Sequence, residues 1–346
     1  MIVLLGNNYS LVRRLILIAS LMYSALSIGF GQSLSKNQQV RLMYSLIEEH
    51  DPDAFKMLES LSKLPTKYKI NRMTITTGKP TKPETWLSGR TAEEVRGSLN
   101  TVVHESLHNF TSYYGYQILS ENPPEDFDFS DSFSAFMIDG DNILLVKHSE
   151  VYNSNELKRD IPKALRTFRY DPYITPKSNV GSQKQGVYGL LDEFNAYYRG
   201  TRISYNLFPV YKEMAEKRPG AYLDYIQNMS SIRMAYYEFK YFMLSYLSKA
   251  QTKYPQLYEG FLANTDLRQA YTLIHYNFQE LNQKIDQRLA NIIADLNNKG
   301  IESYIKDNYF WVRTRGVGMN LEAIGLLKEE LSKKRFTDQH AAFVLN

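Results

Sequence analysis

The pentapeptide HESLH at residues 104–108 constrains this chain more than any other feature of its 346 residues. On an α-helix, side chains four positions apart lie on one face, so His104 and His108 can bind one metal ion through their imidazoles. Glu105 would lie beside that metal, where a carboxylate can take a proton from water. The alternative is a coincidental pair of surface histidines. The pattern H-E-x-x-H therefore predicts a helix that carries a metal-dependent hydrolytic site.

The residues around the pentapeptide support a helix with two distinct sides. Thr91 and Glu94 have the spacing of a capping box, so we expect the helix to begin there. Six apolar residues then recur at helical spacing within a sector roughly 140° wide. They are Val95, Leu99, Val102, Val103, Leu107 and Phe110. His104 and His108 project about 130–170° from the middle of that sector. We therefore predict that the helix buries its apolar side and offers its histidine side to another element.

The H-E-x-x-H motif resembles the active-site motif of the zincin metallopeptidases. The metzincin continuation H-E-x-x-H-x-x-G-x-x-H is absent, because Thr111 and Tyr114 stand where the glycine and the third histidine should be. The aspzincin pattern G-T-x-x-D fails as well, because Ser204 occupies its acidic position. The resemblance is therefore to the gluzincin branch, whose third zinc ligand is a glutamate on a later helix.

The best match to that third ligand is Glu193, in the segment GVYGLLDEFNAYYRG. Glu193 lies at the margin of an apolar stripe on a predicted helix, and Asp192 projects further round. The stripe consists of Leu190, Leu191, Phe194 and Tyr198. A carboxylate at such a margin is costly unless something pairs with it, and zinc would do so. Ala196 is small enough to let another helix approach. The resemblance implies that His104, His108 and Glu193 bind Zn²⁺; the alternative for Glu193 is a solvated carboxylate.

Two further residues are candidates for the site. His148 follows a predicted hairpin with its turn at residues 139–142, and it is the second choice as ligand or as a donor to the oxyanion. It can equally be an ordinary surface histidine. Tyr197 shares a helix face with Glu193, and the resemblance assigns it to stabilising the oxyanion of the transition state. Packing is its alternative role. The acidic segment 121–131 is typical of a surface loop.

The first 31 residues have the pattern of a signal peptide. A basic pair, Arg13-Arg14, precedes an apolar run at residues 15–28 and small residues that end at Gly31. We predict cleavage after Gly31 and export, to the periplasm or the medium; the alternative is an uncleaved membrane anchor. The chain has no cysteine, which excludes a lipoprotein anchor. After cleavage we expect no stable insertion into a membrane.

The remaining chain is close to neutral. Loss of Arg13 and Arg14 takes the formal charge from +4 to +2. With no lysine- or arginine-rich run beside it, this balance argues against a nucleic-acid partner. The sequence leaves the oligomeric state open.

Periodicity predicts an α+β chain that is mostly helical. Residues 32–205 would form a zincin-like catalytic core with a small β-sheet, including two short helices at 33–66 and a strand near Tyr68–Thr77 that lines the cleft. A polar loop is expected around Tyr173–Gly186. Residues 206–346 would form a helical C-terminal lobe, interrupted near Gly316–Gly318 and ending in a short flexible tail after Arg335.

The function that follows is an exported zinc metallopeptidase. Glu105 would act as general base on a zinc-activated water, and the substrate would be a peptide or protein. One alternative is a catalytically idle, zinc-bearing binding or structural protein of the envelope. Another is a helical binding module without metal.

Overall fold

The computed structural model describes residues 33–175 and 181–345, so the predicted signal peptide lies outside them. Within these ranges the chain is α+β and mostly helical. Two short helices open it, α1 (Lys36–His50) and α2 (Pro52–Lys63), split at Asp51 as the sequence predicts. The later helices are α3 (Ala92–Glu121), α4 (Tyr170–Ile174), α5 (Gly181–Lys184), α6 (Gly186–Asn206), α7 (Phe208–Lys217), α8 (Ala221–Arg233), α9 (Ala235–Lys253), α10 (Pro255–Ala263), α11 (Thr265–Asn298), α12 (Leu321–Leu331) and α13 (Lys334–Phe343).

The strands form three separate antiparallel sheets within the described ranges. Each of the first two is a hairpin: β1 (Lys67–Ile70) with β2 (Met73–Thr76), and β3 (Phe133–Met137) with β4 (Ile143–Lys147). The third has the order β5 (Ser303–Lys306), β6 (Tyr309–Val312) and β7 (Arg315–Gly318). The predicted strand near Tyr68–Thr77 is therefore two strands. They turn at Asn71, whose φ of 54° lies in the left-handed region.

Helix α3 carries the pentapeptide and begins where the sequence predicts. The Thr91 hydroxyl accepts a hydrogen bond from the Glu94 amide at 3.2 Å, and the Glu94 carboxylate accepts one from the Thr91 amide at 2.9 Å. These reciprocal bonds satisfy amides that the first turn of a helix leaves without partners. The expected capping box is thus present, and it fixes the phase of the helix ahead of its histidines.

Helices α3 and α6 lie side by side at the centre of the fold. A Cβ atom on Gly200 would come within 3.0 Å of the Asn100 carbonyl oxygen and 3.7 Å of the His104 Cβ. Only a residue without a side chain lets the two backbones approach so closely without a shift. Ala196, expected to allow a close approach, is fully buried in α6. Small residues on α6 therefore set the distance between the two helices.

One cluster of buried side chains runs through the fold, from Leu34 near the start of the described chain to Val344 near its end. The division of the chain into two lobes at residue 205 stays a prediction. Among the described residues, no helix combines the length and the apolarity that a membrane crossing requires.

Three segments differ from the sequence prediction. The segment after Arg335, expected as a flexible tail, is the docked helix α13, because Phe336 and Phe343 lie seven residues apart and are both buried. The predicted break near Gly316 belongs to the sheet β5–β7 inside a region expected to be helical. Part of the loop expected at 173–186 is helical, in α4 and α5, and residues 176–180 lie outside the described ranges.

A buried histidine, His275, and a half-buried one, His340, join α11 to α13. The rings of His275 and His340 lie 4.5 Å apart, and the hydroxyl of Tyr271 lies 3.0 Å from His340 Nδ1. Burial, reinforced by the positive charge of Lys240, lowers the pKa of His275 to about 2 and that of His340 to about 4. The folded chain therefore keeps both imidazoles neutral near neutral pH.

Acid should consequently weaken the fold. A histidine in the unfolded chain titrates near pH 6.5. As the pH falls from about 6.5 towards 4, these two histidines therefore bind protons in the unfolded chain but not in the folded chain. The free energy of unfolding should fall over that window. In His340→Gln the fall should be smaller, which thermal unfolding at about pH 7 and pH 4.5 would measure. Equal losses in the variant and the wild type would contradict this account.

Candidate metal centre

The histidine side of α3 faces α6. His104 and His108 lie one turn apart on α3, and Glu193 lies on the neighbouring part of α6. The side chains are largely shielded from water, with exposed fractions of 11% for His104, 24% for His108 and 6% for Glu193. The three predicted ligands therefore meet at one place, between two helices, and the most accessible edge is that of His108.

The distances among the three ligand atoms fit one small cation. The two Nε2 atoms are 3.1 Å apart, and the Glu193 Oε2 atom lies 3.4 Å from His108 Nε2 and 3.6 Å from His104 Nε2. Zinc binds nitrogen and oxygen at about 2.0–2.1 Å, so a tetrahedral ion separates its ligand atoms by about 3.3–3.4 Å. The three atoms therefore outline one face of such a tetrahedron.

A buried polar atom points into the same space. The Oε2 atom of Glu193 is inaccessible to water and has no close hydrogen-bond partner, because the imidazole nitrogens that face it lie 3.4 and 3.6 Å away. Leaving such an oxygen without a partner is costly, and a metal ion at the centre of the triad would supply the partner. Among the described residues, these three form the one group of histidine and carboxylate side chains placed to hold a metal ion.

Two contacts behind the ligands orient the imidazoles. The Oδ2 atom of Asp192 lies 2.7 Å from His108 Nδ1, which directs the Nε2 atom of that ring towards Glu193. The backbone of Ala196 forms a hydrogen bond with His104. A histidine that binds a metal usually bonds a carboxylate or carbonyl through its other nitrogen. Helical periodicity assigns no role to Asp192, although an acidic residue directly before the predicted glutamate ligand is a usable signal.

The charges around the triad favour one positive charge at its centre. Burial opposes the charged form of His108, but Asp192 and Glu193 outweigh it and hold the pKa of His108 well above its ordinary value. Burial, together with the positive charges of His108 and Arg169, holds the pKa of His104 well below its ordinary value. Without a metal these charges favour the imidazolium form of His108, and a divalent ion that binds its Nε2 atom would displace the proton there.

Glu105 lies beside the triad without belonging to the ligand group. Its side chain is half-buried. Burial raises the pKa of Glu105, the charges of Glu193 and Asp192 raise it further, and that of His108 lowers it. A carboxylate whose pKa is raised towards neutrality is a better proton acceptor and donor at neutral pH than an ordinary glutamate.

Tyr197 contacts the site through its ring and a second tyrosine through its hydroxyl. Its ring centroid lies 4.4 Å from that of His104, and its hydroxyl oxygen lies 3.0 Å from that of Tyr173. Glu193 is close enough to help burial raise the pKa of Tyr173. No sequence pattern indicates a role for Tyr173, which lies at the start of the segment predicted as a loop.

The other candidates lie outside the ligand group. His148 stacks on Tyr188 with ring centroids 4.0 Å apart, and its Nε2 atom lies 2.8 Å from the Ser134 hydroxyl. Burial lowers the pKa of His148 to about 4, against the opposing charge of Asp192. The acidic segment 121–131 is exposed over most of its length, as expected of a surface loop. His148 therefore borders the Asp192 side of the centre without reaching the ligand position.

The predicted cleft strand lies further from the centre than expected. Strand β1 packs against the C-terminal half of α3, where the Ser120 hydroxyl donates to the Lys69 carbonyl at 3.1 Å. The segment after β2 comes closer, because the Thr81 amide donates to Asn109 Oδ1 at 3.0 Å, and Asn109 directly follows His108. Whether substrate pairs with this hairpin stays a prediction.

The role of the contact between Asp192 and His108 can be tested by substitution. Asp192→Asn keeps the shape of the side chain but removes the charge that holds His108 in place, so the zinc dissociation constant should rise by about tenfold or more. Competition with a chelator of known affinity would measure it. Asp224→Asn is a matched control, because Asp224 pairs with Arg218 at 2.6 Å on α8. Equal zinc affinity in all three proteins would leave Asp192 without this role.

Comparisons with protein-family models, with curated proteins and with solved structures find no match to this chain.

Proposed function

We propose that the chain is an exported zinc-dependent hydrolase, most simply a peptidase, with its centre at His104, His108 and Glu193. The observation that carries the proposal is the triangle of ligand atoms, whose sides of 3.1, 3.4 and 3.6 Å suit a tetrahedral zinc ion. Two histidines and one carboxylate are a ligand set of catalytic rather than structural zinc sites, since a fourth position stays open. Export rests on the pattern of residues 1–31.

The residues around the centre have separable roles in this proposal. Zinc, when bound, would supply a Lewis acid and an activated water. Glu105 would accept the proton of that water and pass it to the leaving amine, which its raised pKa favours. Asp192 would keep the Nε2 atom of His108 directed at the metal. Tyr197, with Tyr173 at its hydroxyl, is the proposed donor to the oxyanion.

The presence of Glu105 favours an enzyme over a zinc-bearing binding protein, because a site that only stabilises a fold needs no general base.

The experiment that separates an enzyme from a binding protein uses purified protein without residues 1–31. Elemental analysis should find about one zinc per chain, as one three-ligand site requires. The loaded protein should cleave members of a diverse peptide library near neutral pH, a chelator should stop it, and added zinc should restore it. Zinc-loaded protein that cleaves nothing would favour the envelope binding protein, and wild type without metal would refute the zinc centre.

A further inference from the structure

A buried ion pair lies just outside the ligand group. Arg169 and Glu238 are 4% and 0% exposed, and Arg169 Nη1 lies 2.6 Å from Glu238 Oε2. The other carboxylate oxygen of Glu238 accepts from the Arg169 amide at 3.1 Å and from the Thr167 hydroxyl at 2.5 Å. Arg169 Nη2 donates to the Ser231 carbonyl at 3.0 Å. The guanidinium is thus fixed in place by partners on α8 and α9.

A contribution to stability is a poor explanation for the burial of the Arg169–Glu238 ion pair. Taking two charges out of water costs several kcal/mol per ion, and well-packed apolar residues in place of a buried pair often leave a protein equally stable or more so. The more informative observation is what the guanidinium touches. Its central carbon lies 4.1 Å above the ring centroid of Tyr197, and the ring of Tyr197 meets that of His104 edge-on at 4.4 Å. A continuous row of contacts therefore runs from Glu238 through Arg169 and Tyr197 to His104.

We propose that the Arg169–Glu238 ion pair is a positioning device for the metal centre, which acts on His104 through Tyr197. The inference rests on the proposed zinc site, and it assigns this pair a role in metal affinity rather than in stability. Neither Arg169 nor Glu238 would touch the metal or the substrate.

The chemistry of the row supports this role. A planar guanidinium held by a carboxylate and a carbonyl can move little, and its charge attracts the face of an aromatic ring. The Tyr197 ring is further confined by Phe239, with ring centroids 5.3 Å apart, and by the hydroxyl of Tyr173. A ring fixed in this way leaves the His104 imidazole one orientation on that side. Residues that orient a metal-binding histidine commonly change metal affinity by 10- to 100-fold.

The double variant Arg169→Met/Glu238→Gln isolates this effect. The glutamine keeps a carbonyl oxygen for the Thr167 hydroxyl and the amide of residue 169, so the backbone there stays anchored. Methionine fills most of the volume of the arginine stem but presents no charge to Tyr197. The two substitutions together leave no unpaired buried charge, which single substitutions would.

The double variant should unfold at a temperature equal to or above that of wild type. Its zinc dissociation constant, measured by chelator competition, should rise by about tenfold or more. The visible absorption of the cobalt-substituted protein, which reports on ligand geometry, should also change. Arg233→Met is the matched control, because Arg233 is a buried arginine that pairs with Asp286 at 2.6 Å. It should alter the unfolding temperature and leave zinc affinity and the cobalt spectrum as in wild type.

The outcomes separate this inference from the proposed function. A folded double variant with wild-type zinc affinity and cobalt spectrum would overturn the positioning role while the zinc site stands. Wild type that binds no zinc would overturn both. If circular dichroism shows that the double variant is unfolded, Arg169→Lys decides. It keeps the charge but loses the planar contact with Tyr197, so it should fold and bind zinc several-fold more weakly, and unchanged affinity would refute the proposal.

Discussion

Glu105→Gln should lower the rate of peptide hydrolysis by at least about a hundredfold without loss of zinc. Glutamine has nearly the shape of glutamate but cannot accept the proton of an attacking water at neutral pH. Glu105 is not among the three ligand residues, so the metal should stay bound. The measurement pairs initial rates on any peptide that wild type cleaves with elemental analysis of the same preparations.

Asn109→Ala is a suitable control for Glu105→Gln. Its side chain lies one turn further along α3 and donates to the Glu105 carbonyl at 2.9 Å, so it disturbs the neighbourhood without removing a carboxylate. We expect a much smaller change in rate from it. If Glu105→Gln cleaves as fast as wild type, the general base is another group, whatever the substrate.

Glu193→Ala should weaken zinc binding by orders of magnitude. The substitution removes one of the three ligands and with it the negative charge that faces both Nε2 atoms, since Asp192 contacts His108 only through Nδ1. Chelator competition on the purified variant would measure the loss. The fold should survive, because the contacts of Glu193 Oε2 with His104 and His108 are long, at 3.6 and 3.4 Å, and His108 keeps its closer contact with Asp192 at 2.7 Å.

His148→Ala is the informative partner experiment. The sequence made His148 the second candidate ligand, and the structure places it on Tyr188 and Ser134. Its loss should therefore leave zinc affinity nearly unchanged. The reverse ranking, with His148→Ala weaker than Glu193→Ala, would move the third ligand to the hairpin β3–β4 and refute the ligand set proposed above.

The parts of the centre that follow local rules were predictable. The spacing of His104 and His108 needs only helical periodicity, and the start of α3 needs only the capping pair Thr91 and Glu94. Glu193 could be found because the resemblance to gluzincins implies a glutamate ligand on a later helix, and a carboxylate beside an apolar stripe is costly without a partner. Each of these arguments uses residues within a few turns of one another.

The contacts behind the ligands were not predictable, because they join distant parts of the chain. Periodicity gives the face on which Asp192 lies but not the ring it meets on α3. The row from Glu238 through Arg169 to Tyr197 depends on how α9, α6 and the start of α4 pack against each other. Helix packing angles are set by all the side chains at the contact, and no local pattern contains them.

The sheet β5–β7 was missed although a signal was present. Asp307 and Asn308 both adopt positive φ, at 49° and 69°, which is the geometry of a two-residue hairpin turn. They separate two stretches rich in aromatic and β-branched residues, at 303–306 and 309–312. The helical periodicity of α11 ends at Asn298, and the turn residues 307–308 are the local signal that strands follow it.

The close contact at Gly200 has a consequence for recognising relatives of this protein. Asp192, Glu193, Ala196 and Gly200 share one side of α6, and each touches α3 or the ligands it carries. The spacing D-E-x-x-A-x-x-x-G is therefore a physical signature of this helix pair. Its glycine, Gly200, is required by the short distance between the two backbones and has no chemical role. Natural variants that keep H-E-x-x-H but have a branched residue at position 200 should hold their helices further apart. If the proposed metal centre is correct, such chains should bind metal weakly, and chains with both H-E-x-x-H and the full second spacing should bind it tightly.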